Sequence, residues 1–87
     1  MTDCLFCKIR DGEIPCDKVY EDDDIIAFRD VNPQAPTHVL IIPKKHIATI
    51  NDLEDEDITV AGKMTLVARQ IAADEGIDED GYRLVFN

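Results

Sequence analysis

Two cysteines and one histidine are the first residues of this sequence whose types and spacing can do chemistry. Cys4 and Cys7 form a Cys-x-x-Cys pair, and His46 follows the run Pro43-Lys44-Lys45 much later in the chain. Two sulfurs at this spacing can chelate a zinc ion, with a distant histidine as a third ligand. Inert reduced thiols explain the pair equally well, whereas a redox pair is less favoured because no strand precedes it. A zinc site and reduced thiols both stay open.

Two further polar residues lie beside apolar segments that favour strands. His38 begins an apolar run, where a buried histidine with satisfied hydrogen bonds is the common outcome. Asp30 follows another apolar run and opens a proline-rich loop. Its carboxylate is expected either to cap a turn or to accept hydrogen bonds from a pair of ligand hydroxyl groups. His38 and His46 are also the candidates for a base or nucleophile near neutral pH.

The elements that must position these residues follow from hydrophobic periodicity and turn signals. Apolar residues at helical spacing predict a short first helix that ends at Asp11-Gly12. Three strands are predicted next, over residues 18–21, 25–29 and 37–42. An acidic turn joins the first two, and a loop with two prolines precedes the third.

A long helix is predicted from about residue 55 to residue 75. Asn51 or Asp52 is expected to cap its first turn, and Gly76 is expected to end it. The alternating residues 82–86 then predict a fourth strand. Together these elements predict an α+β fold in a single domain over residues 1–87. The long helix is predicted from apolar residues that repeat at spacings of three and four: Ile58, Ala61, Met64, Val67, Ala68, Ile71 and Ala72.

The balance of charge limits the classes of partner. The formal net charge is −10, and clustered cations that would neutralise nucleic-acid phosphates are lacking, so no DNA or RNA partner is expected. No run approaches the roughly 18 consecutive apolar residues of a membrane span, and the N-terminus lacks a secretory-signal pattern. A cytoplasmic protein with reduced thiols and no membrane association is therefore expected.

Four segments carry a distinctive combination of motifs: Cys4–Ile9, Glu13–Pro15, Ala27–His46 and Gly81–Asn87. The most specific is the proline-rich loop after Asp30 with the later Pro-Lys-Lys-His run. In these motifs the sequence resembles the histidine-triad (HIT) family, and most closely its nucleotide-binding branch. The resemblance covers essentially the whole chain.

The resemblance implies a HIT-like α+β fold with a short N-terminal helix, one long helix and an antiparallel sheet of which this chain holds four strands and lacks the fifth. It implies a purine nucleotide such as AMP or GMP as the ligand, and a homodimer. Cys4, Cys7 and His46 match three of the four ligands of a structural zinc ion in zinc-bearing members. The positions that match the nucleotide pocket are Leu5, Phe6, Ile9, Ile14, Phe28, Val31 and Leu40, with Asp30 on the ribose hydroxyls and Asn87 on the phosphate.

The family's His-x-His-x-His run, whose central histidine is the nucleophile, has no counterpart in these 87 residues. The resemblance therefore assigns no catalytic residue here and implies a domain that is incomplete at its C-terminus. For the complete protein it implies hydrolysis of nucleoside phosphoramidates or related nucleotidyl bonds through a nucleotidyl-histidine. The alternatives are a non-catalytic module that binds a nucleotide or a protein, and an inactive fragment.

Overall fold

The structure, a computed structural model, describes residues 5–86, and of Leu5 it describes the backbone alone. The predictions for Cys4 and Asn87, and for the side chain of Leu5, lie outside the described residues. Contacts within the chain divide it into two units, Met1–His46 and Ile47–Asn87.

The first unit opens with a short helix, α1, over Leu5–Arg10. It ends as predicted, because Gly12 adopts a φ of 81°, a left-handed conformation that costs glycine little. The N–H groups of Asp11 and Glu13 donate to the carbonyls of Cys7 and Lys8 at 3.0 and 2.9 Å. These bonds satisfy carbonyl groups that the end of a helix would otherwise leave without partners.

Three antiparallel strands follow, in the order β1 (Lys18–Glu21), β2 (Ile25–Arg29) and β3 (Val39–Pro43). The first two match their predicted bounds. Their acidic turn is built on Asp22, whose Oδ1 accepts the N–H groups of Asp24 and Ile25 at 2.8 and 2.9 Å. The side chain of such an aspartate holds a turn by accepting backbone N–H groups a few residues further along the chain. This explains why an acidic run stands between two apolar strands.

The third strand begins two residues later than predicted and ends one residue later. Thr37 and His38 stay in the preceding loop, where the N–H of Gln34 donates to the His38 ring at 2.9 Å. The loop is nevertheless closed by the N–H of Asp30, which donates to the carbonyl of His38 at 3.0 Å. This bond continues the β2–β3 pairing by one residue on each strand.

The second unit contains a long helix, α2, over Ile58–Asp74, preceded by single 3₁₀ turns over Ile50–Asp52 and Asp55–Asp57. The predicted cap at Asn51 or Asp52 is wrong. The carboxylate of Asp52 instead accepts the N–H of Thr49 at 3.1 Å and so caps the first 3₁₀ turn. Asp57 stands at the start of α2, and its carboxylate accepts the N–H of Glu54 at 2.9 Å. The carboxylates of Asp52 and Asp57 therefore accept backbone N–H groups of the tight 3₁₀ turns that precede α2, and not those of the first turn of α2.

The end of α2 is confirmed at Gly76, which has a φ of 75°. The N–H of Gly76 donates to the carbonyl of Ala73, and the N–H of Ile77 to that of Ala72, at 3.1 and 3.0 Å. This pair of bonds is a Schellman motif, which requires a left-handed residue and so favours glycine. Among the apolar residues that predicted the helix, the second half is buried: Val67, Ala68, Ile71 and Ala72.

The predicted fourth strand is absent from the described chain. Residues 81–86 form neither helix nor strand, and their side chains are exposed. A strand exists through hydrogen bonds to a neighbour, and the sheet within residues 5–86 contains three strands alone. Alternating side chains therefore express a preference for extended backbone without supplying a partner. No helix of the described residues is long and apolar enough to cross a membrane.

Candidate functional site

One face of the β2–β3 pair combines apolar and polar side chains. Ile26 lies opposite Ile42, and Phe28 lies opposite Leu40. The next pair in the same register is Asp30 with His38, which the backbone bond between them confirms. Because side chains two residues apart on a strand share a face, the three pairs line one side of the sheet. The face is apolar along the strands and ends in a carboxylate and an imidazole.

An apolar cluster covers the first part of this face. Ile9, Ile26 and Phe28 are buried in it, and Ile14, Cys16, Leu40 and Ile42 pack against them. The ring of Phe6 lies against that of Phe28, with centroids 6.4 Å apart and planes inclined by 43°. Phe6 remains 43% exposed, whereas Phe28 is 4% exposed. The cluster thus has a solid interior and one aromatic ring open to solvent.

The structure therefore brings together five of the predicted pocket residues: Phe6, Ile9, Ile14, Phe28 and Leu40. Val31 is different, because it is 94% exposed and lies outside the cluster. An isopropyl side chain this open gains nothing from folding within the described chain. Its position directly after Asp30 makes it available to cover a ligand.

The Asp30 carboxylate is held from two sides. Oδ1 accepts the N–H of Asn32 at 2.9 Å, and Oδ2 lies 3.4 Å from Nε2 of His38. The first contact is the turn-capping role that the sequence left open for Asp30. A carboxylate has about four lone-pair directions, so these two contacts leave acceptor capacity on both oxygens. The expected role toward ligand hydroxyls is therefore compatible with the turn.

The His38 ring has a defined arrangement in the same loop. Nδ1 accepts the N–H of Gln34 at 2.9 Å. A ring nitrogen that accepts carries no proton, so in the neutral ring the proton is on Nε2, which faces Asp30. Gln34 in turn donates from its side chain to the carbonyl of Asn32 at 3.2 Å. The prediction of a buried histidine with satisfied hydrogen bonds holds for Nδ1 alone, because the ring is half-buried and Nε2 has only a longer contact, at 3.4 Å, with Asp30.

The first unit also contains a second pair of polar side chains in contact, a cysteine and a histidine. Sγ of Cys7, on α1, lies 3.1 Å from Nδ1 of His46, which is 39 residues away in sequence. Arg10 on the same helix donates to the carbonyl of Lys44 at 2.6 Å, so two contacts join α1 to the segment after β3. Within residues 5–86 no group of three or more histidine, cysteine or carboxylate side chains is placed to hold a metal ion. Cys4, the predicted third ligand, lies outside that range.

Charged side chains brace the edge of the sheet. Glu21 lies 2.9 Å from the ammonium group of Lys18 and 3.0 Å from that of Lys44. Hydrogen bonds from these two lysines lower the pKa of Glu21, and the bond to Glu21 raises the pKa of Lys18. The hydrogen bond from Arg10 lowers the pKa of Asp11. Sequence reasoning gave Arg10, Glu21 and Lys44 no role, since contacts across 23 or 34 residues leave no local signal.

Comparisons with known proteins fit this geometry. The model of the family described as "Scavenger mRNA decapping enzyme C-term binding" matches residues 3–87. A purine nucleoside phosphoramidase of Escherichia coli K12 is 55% identical over 83 residues, which cover 95% of this chain and 70% of the relative. Among solved structures, a HIT family hydrolase from Legionella pneumophila is 60% identical, with a TM-score of 0.95 over 98% of this chain and 76% of that one.

A histidine triad protein from Clostridium difficile is 45% identical, with a TM-score of 0.94 over 100% of this chain and 76% of that chain. Likeness at this level in both sequence and backbone extends over nearly every residue of the chain. The chain therefore belongs to the histidine-triad family, as its motifs indicated. It is accordingly a HIT-family protein of the hydrolase and nucleotide-binding kind.

Proposed function

We propose that these residues form the nucleotide-binding part of a purine nucleoside phosphoramidase, an enzyme that hydrolyses phosphoramidates or related nucleotidyl bonds. The observation that carries the proposal is the face on which an apolar cluster runs directly into the Asp30–His38 pair. The phosphoramidase relative at 55% identity supports the choice of reaction. A purine nucleotide such as AMP or GMP matches such a face, because the flat aromatic faces of its base pack on apolar side chains and its sugar carries two hydroxyl groups.

The residues of this chain bind and orient the nucleotide in the proposed reaction. The open ring of Phe6 and the exposed side chain of Val31 would pack on the base and sugar, gaining the burial that they lack alone. Asp30 would accept the ribose hydroxyls with the lone pairs that Asn32 and His38 leave available. Leu5, on α1, and Asn87, proposed to contact the phosphate, are assigned from the family motif alone.

Neither described histidine is suited to be the nucleophile. Nδ1 of His38 already accepts a backbone N–H, and its Nε2 faces Asp30. Nδ1 of His46 lies against the Cys7 sulfur, and as a zinc ligand it would leave the ring proton on Nε2, so neither nitrogen would keep a free lone pair. Attack on phosphorus requires a free nitrogen lone pair, so a nucleotidyl-histidine in the complete protein would form on a residue outside these 87. That imidazole would displace the amine, and water would then release the nucleotide.

A structural zinc ion bound by Cys4, Cys7 and His46 is part of the proposal. Tetrahedral zinc holds sulfur at about 2.3 Å and nitrogen at about 2.0 Å, which places two such ligand atoms about 3.5 Å apart. The 3.1 Å between Cys7 Sγ and His46 Nδ1 is within a few tenths of that separation. The ion would cross-link α1 to the segment after β3. Zinc ligation by cysteine needs reduced thiols, so the proposed site goes together with a proposed cytoplasmic location, where thiols stay reduced.

A homodimer is also proposed. Exposed apolar side chains in the second unit include Leu66 on α2 and Val85 and Phe86 in the segment after it. Exposed apolar side chains, and an alternating segment that pairs with no strand among the described residues, are features of surfaces that pair with a second copy. Symmetric pairing would bury both at once.

The test of nucleotide binding is the substitution Asp30→Asn in the complete protein. Asparagine keeps an oxygen for the N–H of Asn32, so the turn is retained while the charge is lost. We expect AMP to bind about 1.5–3 kcal/mol more weakly by calorimetry, the value of a charge-assisted hydrogen-bond set. Asp23→Asn, which removes an exposed charge from the β1–β2 turn, is the matched control and should leave affinity unchanged. Equal affinity for AMP in wild type and Asp30→Asn would refute the proposed site.

A further inference from the structure

His38 is engaged through both ring nitrogens, and its partners are the residues that shape the proposed ribose site. Its Nδ1 accepts the N–H of Gln34 at 2.9 Å, and its Nε2 lies 3.4 Å from Oδ2 of Asp30. The two backbones are also joined, by the N–H of Asp30 to the carbonyl of His38 at 3.0 Å. The ring therefore spans the proline-rich loop from its middle to its first residue.

We propose that His38 is a positioning residue that orients the Asp30 carboxylate toward the ribose hydroxyls and so sets the preference of the site for ribonucleotides. The inference rests on the proposed role of Asp30. A carboxylate held by a single hydrogen bond at one oxygen can still pivot around that bond through small changes in χ1 and χ2. The bond from Asn32 holds Oδ1, and the imidazole of His38 stands beside Oδ2, so both oxygens have a fixed neighbour.

The length of the second contact matters. A distance of 3.4 Å is beyond the usual 2.7–3.2 Å of an N–H···O hydrogen bond. The ring therefore restrains Oδ2 by a weak polar contact and leaves it able to accept from a ligand hydroxyl. A shorter bond would compete with the ligand for the same lone pair, and the absence of a donor would leave the oxygen free to turn away.

The tautomer explains why histidine suits this position. The bond from Gln34 requires an unprotonated Nδ1, and the contact with Asp30 requires a proton on Nε2. A neutral imidazole meets both needs in one rigid ring. Both groups are partly shielded, with 30% of the His38 side chain and 22% of the Asp30 side chain exposed, so the contact is less screened than a surface pair.

Two substitutions separate the two nitrogens. His38→Asn places an amide oxygen near the site of Nδ1 and can still accept from Gln34, but it does not reach Asp30. His38→Gln places an amide NH₂ near the site of Nε2 and can still donate toward Asp30. His38→Phe keeps the ring and removes both functions. Thermal unfolding of each variant of the complete protein establishes that it is folded before binding is measured.

The readout is hydroxyl discrimination, the ratio of the Kd of 2′,3′-dideoxy-AMP to the Kd of AMP, measured by calorimetry. A general loss of structure weakens the binding of both ligands and leaves the ratio of their Kd values unchanged, whereas misplacement of Asp30 weakens the binding of AMP alone. We expect His38→Asn and His38→Phe to lower the ratio by about tenfold, as for the loss of one hydrogen bond, and His38→Gln to keep it within about twofold.

Asp30→Asn in the same assay distinguishes the two proposals. If it leaves the ratio unchanged, Asp30 does not bind the ribose, and the proposed function fails at this site. If Asp30→Asn lowers the ratio while His38→Asn does not, the ribose site stands and the positioning role of His38 is overturned. Equal losses in His38→Asn and His38→Gln would also overturn it, because they would show that the reach toward Asp30 is irrelevant.

Discussion

The two units of the chain use their apolar residues in opposite ways. In the first unit, β2 is almost wholly buried, and its apolar face leads directly to a polar pair with defined hydrogen bonds. In the second unit, four residues of α2 are buried, but Ile58 and Leu66 are 72% and 55% exposed. After α2, residues 78–86 are exposed. The difference fits the two proposals, a ligand site in the first unit and an association surface in the second.

The largest effect is expected from Phe28→Ala, which tests whether the first unit depends on its buried ring. Phe28 is buried in the centre of the cluster, so removing it should lower the free energy of unfolding by about 3–5 kcal/mol in chemical denaturation. Phe6→Ala is the matched control, because this ring is exposed on one side. It should cost clearly less stability and yet weaken AMP binding.

A similar loss of stability in both variants would contradict the proposal that Phe28 stabilises the fold while Phe6 contributes to ligand binding. So would unchanged AMP affinity in Phe6→Ala, because the open ring would then have no part in the pocket. The second result would show that the apolar cluster is a core without a binding edge.

The next effect concerns the contact between Cys7 and His46, which is proposed to be completed by zinc. Cys7→Ser should weaken zinc binding by at least about 100-fold, since changes even to residues behind a metal ligand cost 10–100-fold. The thermal midpoint should then no longer rise when zinc is added. Cys16→Ala removes a different thiol of the same unit and should keep stoichiometric zinc by elemental analysis. Absence of zinc from a reduced preparation of the complete wild-type protein would disprove the metal site.

A smaller effect should appear in the second unit with Leu66→Asp. If Leu66 lies in the proposed dimer interface, losing its burial and adding a charge should weaken association by about 1–2 kcal/mol per protomer. Thr65→Asp adds the same charge at the neighbouring exposed residue and is the matched control. Sedimentation equilibrium measures both. AMP affinity should be unchanged in both variants. A wild-type protein that is monomeric at micromolar concentration would rule out the interface.

The smallest effect is expected at the edge of the sheet, from Glu21→Gln. Hydrogen bonds from Lys18 and Lys44 lower the folded-state pKa of Glu21 below its ordinary value of 4.5. A lowered pKa contributes stability above the unfolded-state value, and this contribution is lost as the pH falls through the folded-state value. The variant should therefore have a slightly lower thermal midpoint at pH 7, and the difference should shrink as the pH falls below 4.5.

Glu13→Gln is the control for Glu21→Gln, because it removes an exposed glutamate that lies between α1 and β1. Its midpoint should stay close to that of the wild type at both pH values. A difference for Glu21→Gln that persists unchanged at pH 3 would show that the two lysines do not stabilise the folded chain through the Glu21 charge.

Several features follow from the sequence alone because their causes are local. The bounds of β1 and β2 follow from apolar runs on either side of an acidic turn, and the Asp22 side chain closes that turn by accepting the N–H groups of Asp24 and Ile25. The ends of both helices follow from Gly12 and Gly76, which adopt the positive φ that other residues avoid. Family membership was equally readable, because it depends on motifs rather than on contacts.

Other features were decided by tertiary structure because they join distant residues. The contact of Cys7 with His46 spans 39 positions, and the brace of Glu21 on Lys44 spans the whole β2–β3 hairpin. The orientation of Asp30 depends on the β2–β3 register, because a shift of the pairing by one residue would turn its side chain to the other face of the sheet. Residues 82–86 show the converse: their alternation favours a strand, yet no described backbone pairs with them. The local sequence determines which secondary structure a segment prefers, and hydrogen-bond partners elsewhere in the chain determine whether that structure forms.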